Sequence, residues 1–337
     1  MELKRPYLLF IGDARDDLAA KTAYGVAYWR PEWSIGQVRL DGCKTTLGLP
    51  DMTVEEGAAK GAKTMVIGVA NRGGVIAESW HGPMRQAVEL GMDLASGLHN
   101  SLGEVPGLAD TARRLGRSLV DVRIPDRDFA VGSGVKRTGK RLLTVGTDVS
   151  CGKMFTALAI EREMLRRGLK ADFRATGQTG ILIAGSGVSV DAVIADFISG
   201  ATEWLSPDNT PDHWDLVEGQ GSLFHPSYAG VTLGLVHGAQ PDALVLCHEP
   251  TRPHKRGIPH QPLPDLKECM DAHVQAARLT NPAAQCVGVS INTSRMPAAD
   301  ADAYLKTTAS RLGLPCVDSV KTGVAPIVDR MGDIGLL

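Results

Sequence analysis

The stretch LLTVGTDVSCGKMFTALAI, Leu142 to Ile160, decides how the chain reads. Leu142 to Val145 is an apolar run that predicts a buried strand. A glycine-framed turn follows (Gly146, Thr147, Asp148, Val149, Ser150, Cys151, Gly152), then Lys153, and a helical pattern carries Leu158 and Ile160 toward a core. A strand, a glycine-rich loop, a lysine and a helix N-terminus together form a phosphate cradle. Backbone N–H groups converge on an anion, the helix dipole adds positive potential, and the ammonium reaches the outer oxygens. Glycine is needed where a side chain would block the backbone's approach. The spacing departs from G-x-x-x-x-G-K-[ST]: five residues separate Gly146 from Gly152, and Met154 stands at the hydroxyl position. That hydroxyl normally ligates Mg²⁺, and a thioether is a poor ligand for a hard cation. The phosphate-binding half of the motif is present and a metal-binding part is missing. The plain alternative is an ordinary strand-to-helix turn with an exposed lysine.

Downstream, Glu161 to Arg167 completes the helix and Gly168 stops it. Ala171 to Ala175 reads as a strand, with a glycine-rich turn at Thr176 to Gly180. Asp191 to Phe197 has helical spacing. Asp191 and Asp196 lie about 500° apart on such a helix and share no face. Trp214 to Val217 is a strand ending at Glu218-Gly219-Gln220-Gly221-Ser222, where a carboxylate could approach a phosphate–metal complex or be only a solvated turn residue. Ala243 to Cys247 is a strand followed by the charged loop His248 to Arg256, a place where chemistry sits. Arg252, Lys255 or Arg256 could hold a carboxylate there, with a merely solvated loop equally open. Val287 to Ile291 is the last clear strand, ending at Asn292-Thr293, and Pro315 to Val317 completes a short strand and tail.

Upstream, strands and helices alternate. Tyr7 to Ile11, Thr64 to Val69, Asp93 to Leu98 and Ser118 to Ile124 read as strands; Asp16 to Tyr28, Met84 to Gly91 and Leu108 to Leu115 read as helices. This alternation predicts a parallel sheet with helices on both faces. Ligands of such sheets sit beyond the strands' carboxyl ends, where Gly12-Asp13, Asn71-Arg72 and His99-Asn100 fall; singly, each reads better as a turn. Gly12 to Arg15 is not a dinucleotide fingerprint, because its further glycines are absent. Pro125 to Lys140 is polar and without period, a linker or interdomain loop. The expectation is an α/β protein with a domain over 1–130 and a phosphate-loop domain over 140–337.

Composition narrows the function. At 337 residues the chain is long enough for two cores. A net charge of -2 gives no reason to expect nucleic acid. No run of about 18 apolar residues predicts a membrane span. The opening MELKRPYLLFIGDA enters a strand-like segment without the apolar stretch and cleavage site of a secretory leader, so a cytoplasmic protein with reduced thiols is expected. Six cysteines are scattered without a CxxC pair. Cys247, His248 and His254 match no zinc spacing, and no metal ligands are assigned.

Three motifs now carry a resemblance. GTDVSCGKM at 146–154, LVEGQGSLFHP at 216–226 and SINTSRM at 290–296 occur in the order found in dethiobiotin synthetases. The second domain resembles that phosphate-loop family. Carried over by position, the resemblance makes Lys153 the phosphate lysine, Asp191 and Glu218 the metal-side carboxylates and Asn292 the adenine-reading residue. Arg174 falls at the family's substrate-side lysine, and Met154 replaces its metal-binding threonine. Over its full length the chain is similar to a bacterial family long labelled a domain of unknown function. That family carries ATGQTGILIAG (here 175–185) and LVEGQGSLFHPSYAGVTLGLVHG (here 216–238) and joins a Rossmann-like N-terminal domain to the phosphate-loop domain.

Members of that family are linked to D-glutamate catabolism as D-glutamate N-acetyltransferases, working with a separate racemase that handles the N-acetylated product. The resemblance therefore implies acetyl-CoA as co-substrate, D-glutamate as substrate and a metabolic partnership with an N-acetylglutamate racemase. A homo-oligomer is the default expectation. Attack by the amine requires a general base, for which Asp191, Glu218, His225, His248 and Glu249 are candidates. Strand-end N–H groups at 177–180 or 219–222 suit the developing oxyanion, and Arg174, Arg252 or Lys255 suit the glutamate carboxylates. The acetyl-CoA loop Q/R-x-x-G-x-G/A of the common acetyltransferases is not evident. The alternative is an ATP- and Mg²⁺-dependent ligase or kinase acting on a small carboxylic acid, favoured by Asp191 and Glu218 and opposed by Met154.

Overall fold

The structure is a computed structural model and describes residues 2–70 and 74–337. It forms two compact units: Met1–Asp126 with Gly177–Ala192, and Arg127–Thr176 with Val193–Leu337. The segment 177–192 lies in sequence between two strands of the second unit but belongs to the first.

The first unit alternates strand and helix: β1 (Tyr7–Gly12), α1 (Lys21–Trp29), β2 (Ser34–Arg39), α2 (Val54–Ala59), β3 (Thr64–Ile67), α3 (His81–Glu89), β4 (Asp93–Ser96), α4 (Leu108–Leu115) and β5 (Leu119–Asp121). All pairings are parallel, in the order β2-β1-β3-β4-β5. The central strands β1, β3 and β4 are buried along their whole length, which is why they read as continuous apolar runs. β2 escaped the sequence reading because Gln37 interrupts it. That side chain is buried and satisfied by Thr46, Asp51 and the N–H of Leu47. α1 begins at Lys21 rather than Asp16; Asp16 instead accepts from Ala19 N in a preceding turn. The Asn71-Arg72 site candidate lies outside the described residues.

The second unit contains β6 (Lys140–Gly146), α5 (Lys153–Arg166) and β7 (Lys170–Arg174). The chain then makes α6 (Gln178–Ala184) in the first unit and returns through α7 (Ile198–Leu205), β8 (His213–Val217), α8 (Ala229–Ala239), β9 (Ala243–His248), α9 (Leu266–Arg278), β10 (Gln285–Ile291), α10 (Ala298–Leu312), β11 (Cys316–Val317) and α11 (Ala325–Asp333). Its sheet is six-stranded and parallel, in the order β11-β10-β9-β6-β8-β7. β6 is therefore central, with β8 and β9 on either side, and their carboxyl ends together form the floor of one site.

Three readings are corrected here. The glycine-rich turn at Thr176 to Gly180 is the start of α6, and Asp191 to Phe197 is two short 3₁₀ turns rather than a helix. The segment read as a linker is fastened to the second unit: Ser133 and Gly134 N–H donate to Glu203, Lys136 to Asp242, Arg137 to Gly238 O and Thr138 to Asp208.

Candidate functional site

The loop between β6 and α5 is shaped for an anion. Thr147 N–H bonds Cys247 O in β9, and Val149 N–H bonds the Asp148 carboxylate. The N–H groups of Ser150, Cys151, Gly152, Lys153 and Met154 have no acceptor among the described residues. Ser150 and Gly152 take positive φ, 52° and 108°, the kind of alternation that turns successive N–H groups to one side. Lys153 is buried and folds over the loop, its Nζ donating to Asp148 O at 2.8 Å. A Cβ on Gly146 would lie 2.7 Å from Cys151 Sγ and 3.1 Å from Lys153 Nζ, so that glycine makes the turn possible. A Cβ on Gly219, at the end of β8, would lie 1.7 Å from Thr144 O and 3.0 Å from Lys153 Cδ. The glycine after Glu218 thus lets β8 close on the lysine stem.

The charged loop after β9 holds the phosphate loop. Arg252 donates to the Asp148 carboxylate (2.8 Å), to Val149 O (2.7 Å) and to Ser150 O (2.6 Å), and is ion-paired with Glu249. Arg256 N–H donates to the same Asp148 carboxylate at 2.9 Å. Asp148 is 1% exposed and depends on these donors. The guanidinium of Arg252 is thereby committed to the loop, and the Lys255 ammonium donates to Gln261. Cys151 Sγ contacts Asp148 O, and Cys269 Sγ contacts Gly146 O, so thiols scattered in sequence gather beneath the loop. Burial pushes the Cys247 and Cys269 thiols well above the ordinary range, which makes them packing groups.

The other candidates separate into those at this site and those away from it. Glu218 is buried at the tip of β8, one oxygen accepting from Thr176 N–H at 3.0 Å. Beyond it the N–H groups of Gln220, Gly221 and Ser222 have no acceptor among the described residues. His248 ends β9, and its Nδ1 lies 3.0 Å from Thr147 Oγ1. Burial, helped by the nearby Arg252, pushes His248 down to about 4, so it is neutral at pH 7. His225 is engaged on both ring nitrogens: Ser227 N–H donates to Nδ1, which leaves Nε2 to donate to Arg256 O at 3.1 Å. It fixes Arg256 and has no nitrogen free to take a proton.

Arg174 turns to the buried Asp215 within the sheet (2.7 Å). Asp191 lies in the first unit, half exposed, with Ser189 and Arg123 as partners. Among the described residues no group of three His, Cys, Asp or Glu side chains gathers as a metal site.

Beside the loop is a cavity of about 260 Å³ lined by Cys151, Gly152, Phe155, Asn292, Val320 and Lys321, among others. Its far wall is built by Asp318, whose buried carboxylate accepts from the N–H groups of Thr293, Val320 and Lys321. The segment after β11 that forms this wall carried no signal in the sequence. Only Asn292 pointed to it.

A parallel sheet with an open N–H cradle, a lysine folded over it and a flanking cavity defines a phosphate-loop protein joined to a second α/β unit. The chain belongs to the family described as a domain of unknown function, DUF1611: residues 38–125 match its Rossmann-like domain and residues 128–328 its P-loop domain. A protein of Tritonibacter scottomollicae named D-glutamate N-acetyltransferase is 56% identical over 98% of this chain and 100% of its own length. One of Pseudoalteromonas sp with the same name is 49% identical over 98% of this chain and 100% of its own length. A crystal structure of a DUF1611 family protein from Anabaena variabilis is 29% identical and superposes with a TM-score of 0.81, covering 98% of this chain and 100% of that one.

Proposed function

We propose that this chain is a D-glutamate N-acetyltransferase that moves acetyl from acetyl-CoA to the substrate amine. The observation that carries the proposal is the identity of 56% over nearly the whole of both chains to a protein of that name. The geometry supports a CoA ester as donor. CoA carries a pyrophosphate, a 3′-phosphate and an adenine. The N–H cradle at 150–154 and Lys153 suit phosphate oxygens, and the adjacent cavity at Asn292 suits a planar base. Such binding needs no hydroxyl at Met154, because nothing is hydrolysed.

In the reaction the amine nitrogen bonds the thioester carbon, the C–S bond breaks, and the thiolate leaves as CoA once protonated. The ammonium must first lose a proton. Of the candidates, Glu218 is preferred on position: it is buried at the tip of β8 and adjoins Gly219, whose backbone meets the Lys153 stem, and its carboxylate already accepts from Thr176 N–H. His225 has no free nitrogen, the lowered His248 is a weak base, and Glu249 is paired with Arg252. The open N–H groups of Gln220, Gly221 and Ser222 suit the oxyanion that develops on the thioester oxygen. We further propose, on the family resemblance alone, a place in D-amino-acid catabolism with a racemase acting on the N-acetylated product.

The test is free-thiol release from acetyl-CoA with D-glutamate or L-glutamate, without ATP or Mg²⁺. CoA release dependent on D-glutamate is expected. No release, together with ADP formation from ATP, Mg²⁺ and a small carboxylic acid, would replace this reading with a ligase or kinase.

A further inference from the structure

The first sheet has its own strand-end site. In the order β2-β1-β3-β4-β5 the connections run in opposite directions from the β1/β3 boundary, and ligands of open parallel sheets bind beyond the carboxyl ends at such a point. A cavity of about 190 Å³ lies beside that point, at the carboxyl ends of β3 and β4 and the first turn of α1. One side is polar: Lys21 and Thr22 from the first turn of α1, His99 after β4, and Gln178 at the start of α6. Its apolar wall comes from Ile67, Val69, Ala70 and Leu98. Among the described residues no acidic side chain lines the cavity.

Its donors are open. α1 has no side-chain cap. Ala23 N–H is taken by Gly68 O, but Thr22 N–H has no acceptor among the described residues. The Thr22 side chain is 5% exposed, and its hydroxyl likewise has no partner among the described residues. Gln178 Oε1 accepts from Arg123, which turns the amide nitrogen, a donor, to the remaining space. Lys21 is exposed, and its ammonium is in no ion pair among the described residues. Two glycines bring these groups together. A Cβ on Gly68 would lie 2.3 Å from Ala23 Cβ, and one on Gly97 would lie 3.3 Å from Gln178 Cβ.

We propose that this cavity is a carboxylate-binding site that takes an acidic end of the amino-acid substrate. Converging neutral donors and one lysine suit a carboxylate. The apolar wall suits the methylenes that carry it, which a bare phosphate lacks. The identity of the ligand rests on the acetyltransferase reading; the existence of the site does not.

The test is calorimetric titration of D-glutamate into the full chain in saturating CoA, for the wild type, Lys21→Met and Thr22→Val. Inorganic phosphate is titrated in parallel, and acetyl-CoA affinity serves as the control for folding. D-glutamate is expected to bind at least tenfold more weakly to Lys21→Met and several-fold more weakly to Thr22→Val, with acetyl-CoA affinity unchanged within twofold. Equal D-glutamate affinity in all three proteins, no D-glutamate binding to the wild type, or a loss seen for phosphate alone would overturn the proposal. D-glutamate binding that the variants lose, in a wild type that releases no CoA, would uphold the cavity and overturn the acetyltransferase reading instead.

Discussion

At the carboxyl end of β6, a short contiguous loop holds its shape through its own bonds and a clamp from the β9 loop. At the carboxyl ends of β3 and β4, the cavity is assembled from side chains far apart in sequence, and its donors are left open. Arg252 alone makes several bonds to the first site. Thr22, at the second, makes none through its hydroxyl among the described residues. A site built by a tight turn announces itself in sequence because glycine, lysine and spacing must be adjacent. A site built by sheet topology does not.

The difference is sharpest at the glycines. Gly219→Ala places a methyl group 1.7 Å from a backbone oxygen and is expected to cost at least about 4 kcal/mol, read as the urea midpoint of the second unit. Gly97→Ala meets the Gln178 side chain at 3.3 Å and Val122 Cγ2 at 3.7 Å, with no backbone atom among these contacts, and is expected to cost less than about 1 kcal/mol. Equal costs would erase the contrast between a rigid loop and a yielding cavity.

Removing the clamp comes next. Arg252→Met leaves the buried Asp148 without its guanidinium and is expected to destabilise by about 3 kcal/mol. Acetyl-CoA binding should fall with it. An unchanged midpoint together with unchanged acetyl-CoA affinity would show that the loop keeps its shape without the charged segment.

The pH dependence is smaller. His248 and His273 are both pushed down to about 4, largely by burial. The unfolded chain therefore binds more protons than the folded one between about pH 6.5 and 4, so stability is present above 6.5 and falls with pH. Between pH 7 and 5 each histidine is expected to cost about 2 kcal/mol. Urea unfolding of His273→Leu at both pH values should show a smaller loss than the parent chain, and an equal loss would remove the buried imidazole as the cause. The smallest effect is expected at Asp191→Asn, where a half-exposed pair with Arg123 contributes less than about 0.5 kcal/mol. A large fall in acetyl-CoA affinity for that variant would return Asp191 to the phosphate loop, as its position in the dethiobiotin synthetase pattern implies.

Much of the architecture was legible because a strand buried on both faces must be apolar throughout: β1, β3, β6, β9 and β10 all stand out as runs. β2 did not, because Gln37 satisfies its polar side chain inside the core. α9 could have been found. Asp265 caps the N–H groups of Lys267 and Glu268, and Leu266, Cys269, Met270, His273 and Ala277 fall on its buried face. The phosphate loop was legible down to Lys153. The role of Arg252 was not: a charged loop looks alike in sequence whether it faces water or an adjacent backbone. For Arg174, position in a motif does not reveal that its guanidinium pairs with Asp215 in the neighbouring strand.

The most direct measurement is amide hydrogen exchange of the full chain with and without acetyl-CoA. Protection over residues 147–154, with further protection at 292–294 and 319–321, is expected from a cofactor held on the loop and in the adjoining cavity. Protection confined to the carboxyl ends of the first sheet, around 21–26 and 97–99, with none at 147–154, would place the cofactor on the other sheet and contradict the assignment.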